Sequence, residues 1–183
     1  REGNGGAVYW DDGDGEIYDG CYFINNNATD DGGAVYWNGN DGWLDDNCHF
    51  TNNSANRGGA VYWYGDNGKI FDDCHFLNNN ATDGGAVFCE GGDVKIYNNC
   101  DFTNNSADNG GAIYWKECLQ VWVLPDDWDY YGNGEISDST FNNNSANIDG
   151  GAVYWDGNGG TISGSSFADN NAAHRKGTAW HFR

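Results

Sequence analysis

The sequence predicts an all-β solenoid of about six coils of 26–27 residues, with the start of a seventh. Three observations carry this. A six-residue stretch returns at a fixed period, a Phe-Asn stretch follows it each time, and no window shows sustained helical periodicity. The first stretch reads Gly-Gly-Ala-Val-Tyr-Trp and lies at residues 5–10, 32–37, 58–63, 84–89, 110–115 and 150–155, with Phe88-Cys89 ending the fourth copy and Ile113 replacing Val in the fifth. The starts are 27, 26, 26, 26 and 40 residues apart, and a worn copy at residues 176–181 follows 26 residues on.

Each repeat has three segments. The first is the Gly-Gly-Ala-Val-Tyr-Trp strand. Either its Ala and Tyr face inward or its Val and Trp do; Val inside and Tyr outside is the expectation. The second segment carries one aliphatic residue: Ile17, Leu44, Ile70, Ile96, Ile136 or Ile162. The third carries Phe followed by paired Asn, as in Phe23-Ile-Asn25-Asn26 and Phe76-Leu-Asn78-Asn79. All three are short, β-branched or aromatic, and bounded by Gly, Asn and Asp, which are strand and turn signals. Coils would stack at the strand spacing, about 4.8 Å, so that equivalent positions form ladders.

In the third segment Cys21, Cys48, Cys74 and Cys100 each precede Phe by two residues. Residues two apart share a face of a strand, so Cys and Phe face inward. Ser139 and Ser165 take the Cys position later in the chain. Stacked thiols at the strand spacing are too far apart for disulfides, and their spacing matches no zinc motif. Cys89 stands at a Trp position, and Cys118 begins an insertion.

The pairing of Gly-Gly-Ala-aliphatic with Phe-x-x-Asn resembles the repeats of chlamydial polymorphic membrane proteins. The longer form, Gly-Gly-Ala-Val-Tyr-Trp with Cys-x-Phe-x-Asn-Asn-x-Ala, looks even more like adhesin-like surface proteins of methanogenic archaea. The resemblance spans nearly the whole chain. It implies a right-handed parallel β-helix displayed at a cell surface, serving as an adhesin or structural module, and it implies no catalytic residue. It is marked by two departures: no membrane-anchoring region is recognisable, and one repeat carries an insertion.

Residues 1–183 read as a single domain and as a processed piece of something longer. No apolar run is long enough for a membrane helix. A net charge of −20 disfavours nucleic acid, whose phosphates need a basic face. The expected partners are protein or carbohydrate at a cell surface. The enzyme alternative is a polysaccharide-active lyase or glycosidase. Against it, every Asp has copies on adjacent coils, so no catalytic cluster stands out.

Candidate sites come from the ladders and from the insertion. Asp19, Asp46, Asp72 and Asp138 follow the aliphatic position by two. Asp is a good turn residue, but stacked carboxylates repel, and Ca²⁺ is the hard cation that would relieve this. A second row is Asp31, Arg57, Asp83, Asn109 and Asp149. The Asn pairs read as corners whose amides bond along the stack, with Asn27, Asn52, Asn80, Asn104 and Asn143 also matching glycosylation sequons. Residues 116–134 form an inserted loop or hairpin in the fifth coil. It either covers the aromatic rows or makes a contact site of Trp122, Trp128, Tyr130 and Tyr131. Acidic Glu2, Asp11 and Asp12 at one end, against Arg175, Lys176 and Arg183 at the other, favour head-to-tail stacking into a filament.

Overall fold

Like stacks on like throughout the chain. In the computed structural model, which describes residues 3–116, 134–157, 159–174 and 180–182, every strand pairing is parallel and joins equivalent residues of adjacent coils. The described residues contain no helix.

Three long sheets make the faces of a parallel β-helix of about six turns. Sheet A holds the Val-Tyr-Trp strands: β1 (Val8–Trp10), β4 (Val35–Trp37), β7 (Val61–Trp63), β10 (Val87–Cys89), β14 (Ile113–Lys116), β18 (Val153–Asp156) and β22 (Trp180–Phe182). Sheet B holds the aliphatic strands: β2 (Glu16–Ile17), β5 (Trp43–Leu44), β8 (Lys69–Ile70), β11 (Lys95–Ile96), β15 (Glu135–Ser137) and β19 (Thr161–Ser163). Sheet C holds the Phe strands: β3 (Tyr22–Ile24), β6 (His49–Thr51), β9 (His75–Leu77), β12 (Asp101–Thr103), β16 (Thr140–Asn142) and β20 (Ser166–Ala168). A fourth, shorter sheet was not anticipated. It joins β13 (Ser106–Asn109), β17 (Ser145–Asp149) and β21 (Asn171–Ala172), because the segment after each Asn pair is itself extended. Isolated bridges Asn27–Ser54–Asn80–Ser106 carry the same line through the earlier coils.

The core lies between the sheets. Val and Trp of sheet A point in, as do the aliphatic residue of sheet B and the Cys and Phe of sheet C. The Val-in, Tyr-out expectation therefore holds. Inner rings stack coil on coil: Trp37 on Trp63 at 4.7 Å and Phe50 on Phe76 at 4.8 Å, near the strand spacing. Such stacks bury large apolar area and specify register, since a slip of one residue would turn every ring outward.

Two devices close the corners. The first Gly of each Gly-Gly pair is left-handed, as at Gly32 (φ 63°), and a Cβ on the second, Gly33, would come within 2.0 Å of the Gly59 carbonyl oxygen. At the other corner the first Asn of each pair takes the left-handed turn, as at Asn52 and Asn78 (φ 55° at each). The second Asn turns inward. Asn79 is fully buried; its Oδ1 accepts from the Asn53 backbone N–H at 2.9 Å and from Asn53 Nδ2 at 3.0 Å. Its own Nδ2 donates to the Phe50 carbonyl at 2.9 Å and to Asn105 Oδ1 at 3.0 Å. The same pattern runs from Asn26 to Asn170 and leaves none of these buried amides wanting a partner.

The inner thiols are free cysteines. Cys48, Cys74 and Cys100 donate to the carbonyls of Asp45, Phe71 and Tyr97 at 3.0, 3.2 and 3.2 Å. For Cys48 and Cys74 the neighbouring thiols of the ladder, Cys74 and Cys100 respectively, together with burial, push the thiol well above the usual range, so these groups are inert packing. The inserted segment falls on residues outside the described ones. The strands on either side keep register, with Lys95 opposite Glu135 and Ile96 opposite Ile136.

Candidate functional site

Inner positions repeat almost without change. Function is therefore sought among outward positions, where the coils differ.

The outward row of sheet A is Tyr9–Tyr36–Tyr62–Phe88–Tyr114–Tyr154, with rings stacked about one coil apart. The row faces outward as expected but is not bare to solvent: Tyr62 and Phe88 are each only 2 % exposed. They are covered by a charged group that breaks the repeat. Arg57 replaces the Asp of its row and grips Asp31 through two bonds of 2.7 Å. Its guanidinium lies over the Tyr62 ring at 4.8 Å and the Phe88 ring at 5.4 Å. Glu90 meets Arg57 at 3.6 Å and also bonds the Tyr62 hydroxyl and the Lys116 ammonium. Burial alone would raise the Glu90 carboxyl, but Lys116, Tyr62 and Arg57 together hold it below the ordinary range. Burial, helped by Tyr9 and Asp31, pushes the Tyr36 phenol up to about 12.

The acidic corner lies between sheets B and C. Asp19, Asp46, Asp72 and Asp138 are all left-handed, with φ between 46° and 62°, so each serves as a turn residue. Asn98 continues the row and donates to Asp72 Oδ1 at 2.8 Å. Carboxylate oxygens of Asp45, Asp46 and Asp72 lie within 4.8 Å of one another. The sequence reading missed Asp45; the doubled aspartates Asp45-Asp46 and Asp72-Asp73 were the available signal.

On sheet C the outward row is Tyr22–His49–His75–Asp101. Tyr22 stacks on His49 at 4.6 Å, and His75 approaches Asp101 at 3.9 Å. Burial and the neighbouring His75 lower the pKa of His49.

Sheet B presents an outward row that mixes acids, amines and an indole: Glu16, Trp43, Lys69, Lys95, Glu135 and Thr161. Beside it Phe71 stacks on Tyr97 at 5.1 Å and meets Trp43 edge-on at 6.3 Å. Lys69 Nζ sits over the Trp43 ring at 4.9 Å, and Lys95 approaches Glu135 at 3.6 Å. Along this face runs an open groove of about 530 Å³, lined by Asp41, Asn67, Lys69, Asp93 and Lys95. Asp41, Asn67 and Asp93 are the left-handed residues of the corner between sheets A and B, stacked over three coils. Sequence reasoning did not single this groove out. The signal was there: two of only eight basic residues fall at one repeat position.

Of the sites expected from sequence, Trp122, Trp128, Tyr130 and Tyr131 lie outside the described residues, as do Glu2, Arg175, Lys176 and Arg183. Asp11 and Asp12 are exposed on the first coil. Among the five sequon asparagines, all of them exposed, Asn80 accepts from Ser106 Oγ at 2.9 Å and Asn143 donates to Asn104 at 2.6 Å. These three amides are thus engaged in the ladder. No helix among the described residues is long and apolar enough to cross a membrane.

No curated protein and no solved structure matches the chain significantly. Four segments, residues 20–36, 47–62, 99–114 and 138–154, match the Chlamydia polymorphic membrane protein (Chlamydia_PMP) repeat. Each begins near the Phe strand of sheet C and runs through the corner into the next coil's strand of sheet A. The chain is therefore similar to that repeat where one coil passes into the next, through the buried Asn and the Gly-Gly corner.

Proposed function

We propose that the chain is a non-enzymatic, adhesin-like or structural β-helix module displayed outside the cell, whose outward faces contact protein or carbohydrate at a cell surface. One observation carries this reading. On sheet B the inward row Ile17–Leu44–Ile70–Ile96–Ile136–Ile162 is aliphatic in every coil, while the outward row one residue earlier changes from acid to indole to amine. A scaffold needs the first; a display surface uses the second. The match to a repeat of a polymorphic membrane protein supports the same reading. The aspartates stand at equivalent turn positions in coil after coil, which fits corner chemistry better than one catalytic pair.

Beads coated with the chain test this. Retention on cells or on immobilised matrix polymers, together with no release of reducing ends from a polysaccharide panel, is the expected result. Polysaccharide turnover abolished by a single Asp substitution would overturn it in favour of the enzyme.

A further inference from the structure

We infer that the groove along sheet B is a binding site for a neutral glycan chain. This rests on the contact-module reading above and names the partner for one face.

The groove has the size of a ligand cleft. Its volume of about 530 Å³ lies within the usual range of roughly 300–1,000 Å³. Its lining carries both kinds of chemistry. Asp41, Asn67 and Asp93 form a corner row that offers acceptors, with one amide donor among them; Lys69 and Lys95, two residues further on in their coils, offer donors. These groups are not consumed by one another. Among the described residues, neither lysine forms an ion pair with Asp41 or Asp93. Nor do the side chains of Asp41, Asn67 and Asp93 make a hydrogen bond to another of the described residues. The adjacent corner row behaves differently: Asn40 accepts from the Asp66 N–H at 2.9 Å and Asp66 from the Gly92 N–H at 2.7 Å. Corner bonding has thus been handed to one row, and the row that lines the groove keeps its polar atoms outward.

A ligand in this groove meets carboxylates at Asp41 and Asp93, an amide at Asn67 and ammonium groups at Lys69 and Lys95, so it must both donate and accept along its length. A sugar hydroxyl does both. The lining comes from three successive coils about 4.8 Å apart, each with a polar corner residue two positions before Trp43, Lys69 or Lys95, so it is laid out along a chain rather than around one small molecule. Trp43 lies at one end of the lysine row, 38 % exposed, with Phe71 and Tyr97 alongside. Lys69 Nζ already lies over the Trp43 ring, so the apolar contact offered to a pyranose C–H face is the exposed part of this aromatic cluster beside the polar groups. A polyanion suits the groove less well. The chain carries −20 overall, two aspartates line the site, and Lys95 is shared with Glu135.

Calorimetric titration with neutral oligosaccharides of glucose, mannose, galactose and xylose tests the inference, with polygalacturonate as the anionic counterpart. At least one neutral series should bind. Asp93→Asn, Lys69→Gln and Trp43→Ala should each weaken it by about tenfold or more, a loss of about 1.4 kcal/mol, while Tyr22→Ala on sheet C leaves it unchanged. Four results overturn the inference: no binding of any neutral series, binding of polygalacturonate alone, equal weakening by Tyr22→Ala, or no weakening by the groove variants. If coated beads still adhere while no oligosaccharide binds, the glycan inference fails and the contact-module reading stands.

Discussion

Gly42 lies against the indole of Trp37: a Cβ added there would come within 2.3 Å of Trp37 Cε2 and Nε1. The same relation joins Gly15 to Trp10, Gly68 to Trp63, Gly134 to Trp115 and Gly160 to Trp155. One coil departs. Cys89 stands in the Trp position, and Val94, five residues later where glycine is the rule, is fully buried. Volume removed at one position is returned at the other. The inward row of sheet A is thus filled by pairs, indole with glycine or thiol with valine.

This pairing predicts a rescue. Gly42→Val should destabilise the protein by at least the 1–3 kcal/mol roughly typical of overpacking. Cys89→Trp alone should do the same by meeting Val94. The double change Cys89→Trp with Val94→Gly should recover most of the loss and extend the indole stack from Trp63 to Trp115. Urea denaturation of these three variants and of Val94→Gly alone measures it, and non-additivity of the pair is the signature.

The two asparagines of a corner should respond differently. Asn79→Ala leaves the buried Asn53 N–H without its acceptor and removes the amide's bond to the Phe50 carbonyl, and an orphaned donor of this kind costs roughly 1–3 kcal/mol. Asn78 is exposed and only holds a left-handed turn, so Asn78→Ala should cost roughly 1–2 kcal/mol. Chemical denaturation of both variants checks the order. An equal effect would mean that the buried amide ladder adds nothing beyond the turn.

Glu90 predicts a pH dependence of definite sign. Its carboxyl is held below the ordinary value of 4.5 in the folded chain, so the folded state binds the proton less readily than the unfolded one. The stability it contributes is present above about that pH and is lost as pH falls through the lower, folded value. Melting temperature measured from neutral pH down to pH 3 should fall less steeply for Glu90→Gln than for the parent. Identical slopes would detach Glu90 from the Arg57 and Lys116 contacts.

The calcium expectation now has three neighbouring carboxylates to test, those of Asp45, Asp46 and Asp72. It predicts that chelator lowers the melting temperature by several degrees, that added Ca²⁺ restores it, and that Asp45→Asn removes the response. Stabilisation by a ligand of the folded state is about 2.7 kcal/mol at a hundredfold excess over Kd. An unchanged melt assigns these aspartates to the turn alone.

Much of the fold was legible because a parallel β-helix repeats one problem. A period of 26, a Gly-Gly start and a Phe-Asn-Asn end set where strands lie. Spacing by two placed Cys48 with Phe50, while the first strand allowed either Ala and Tyr or Val and Trp inside; the packed core holds Val35 and Trp37. The sequence by itself therefore determined the coil, the inner rows of sheets B and C and the corners, since these depend on residues close in the chain and on stacking of like on like. Tertiary structure alone decided the outward faces. Whether Tyr62 is bare or covered depends on Arg57 and Glu90, which belong to different coils and meet only when the coils are stacked. Whether Lys69 and Asp93 pair or line the groove unpaired depends on the angle at which sheet A turns into sheet B, and no periodicity encodes that angle.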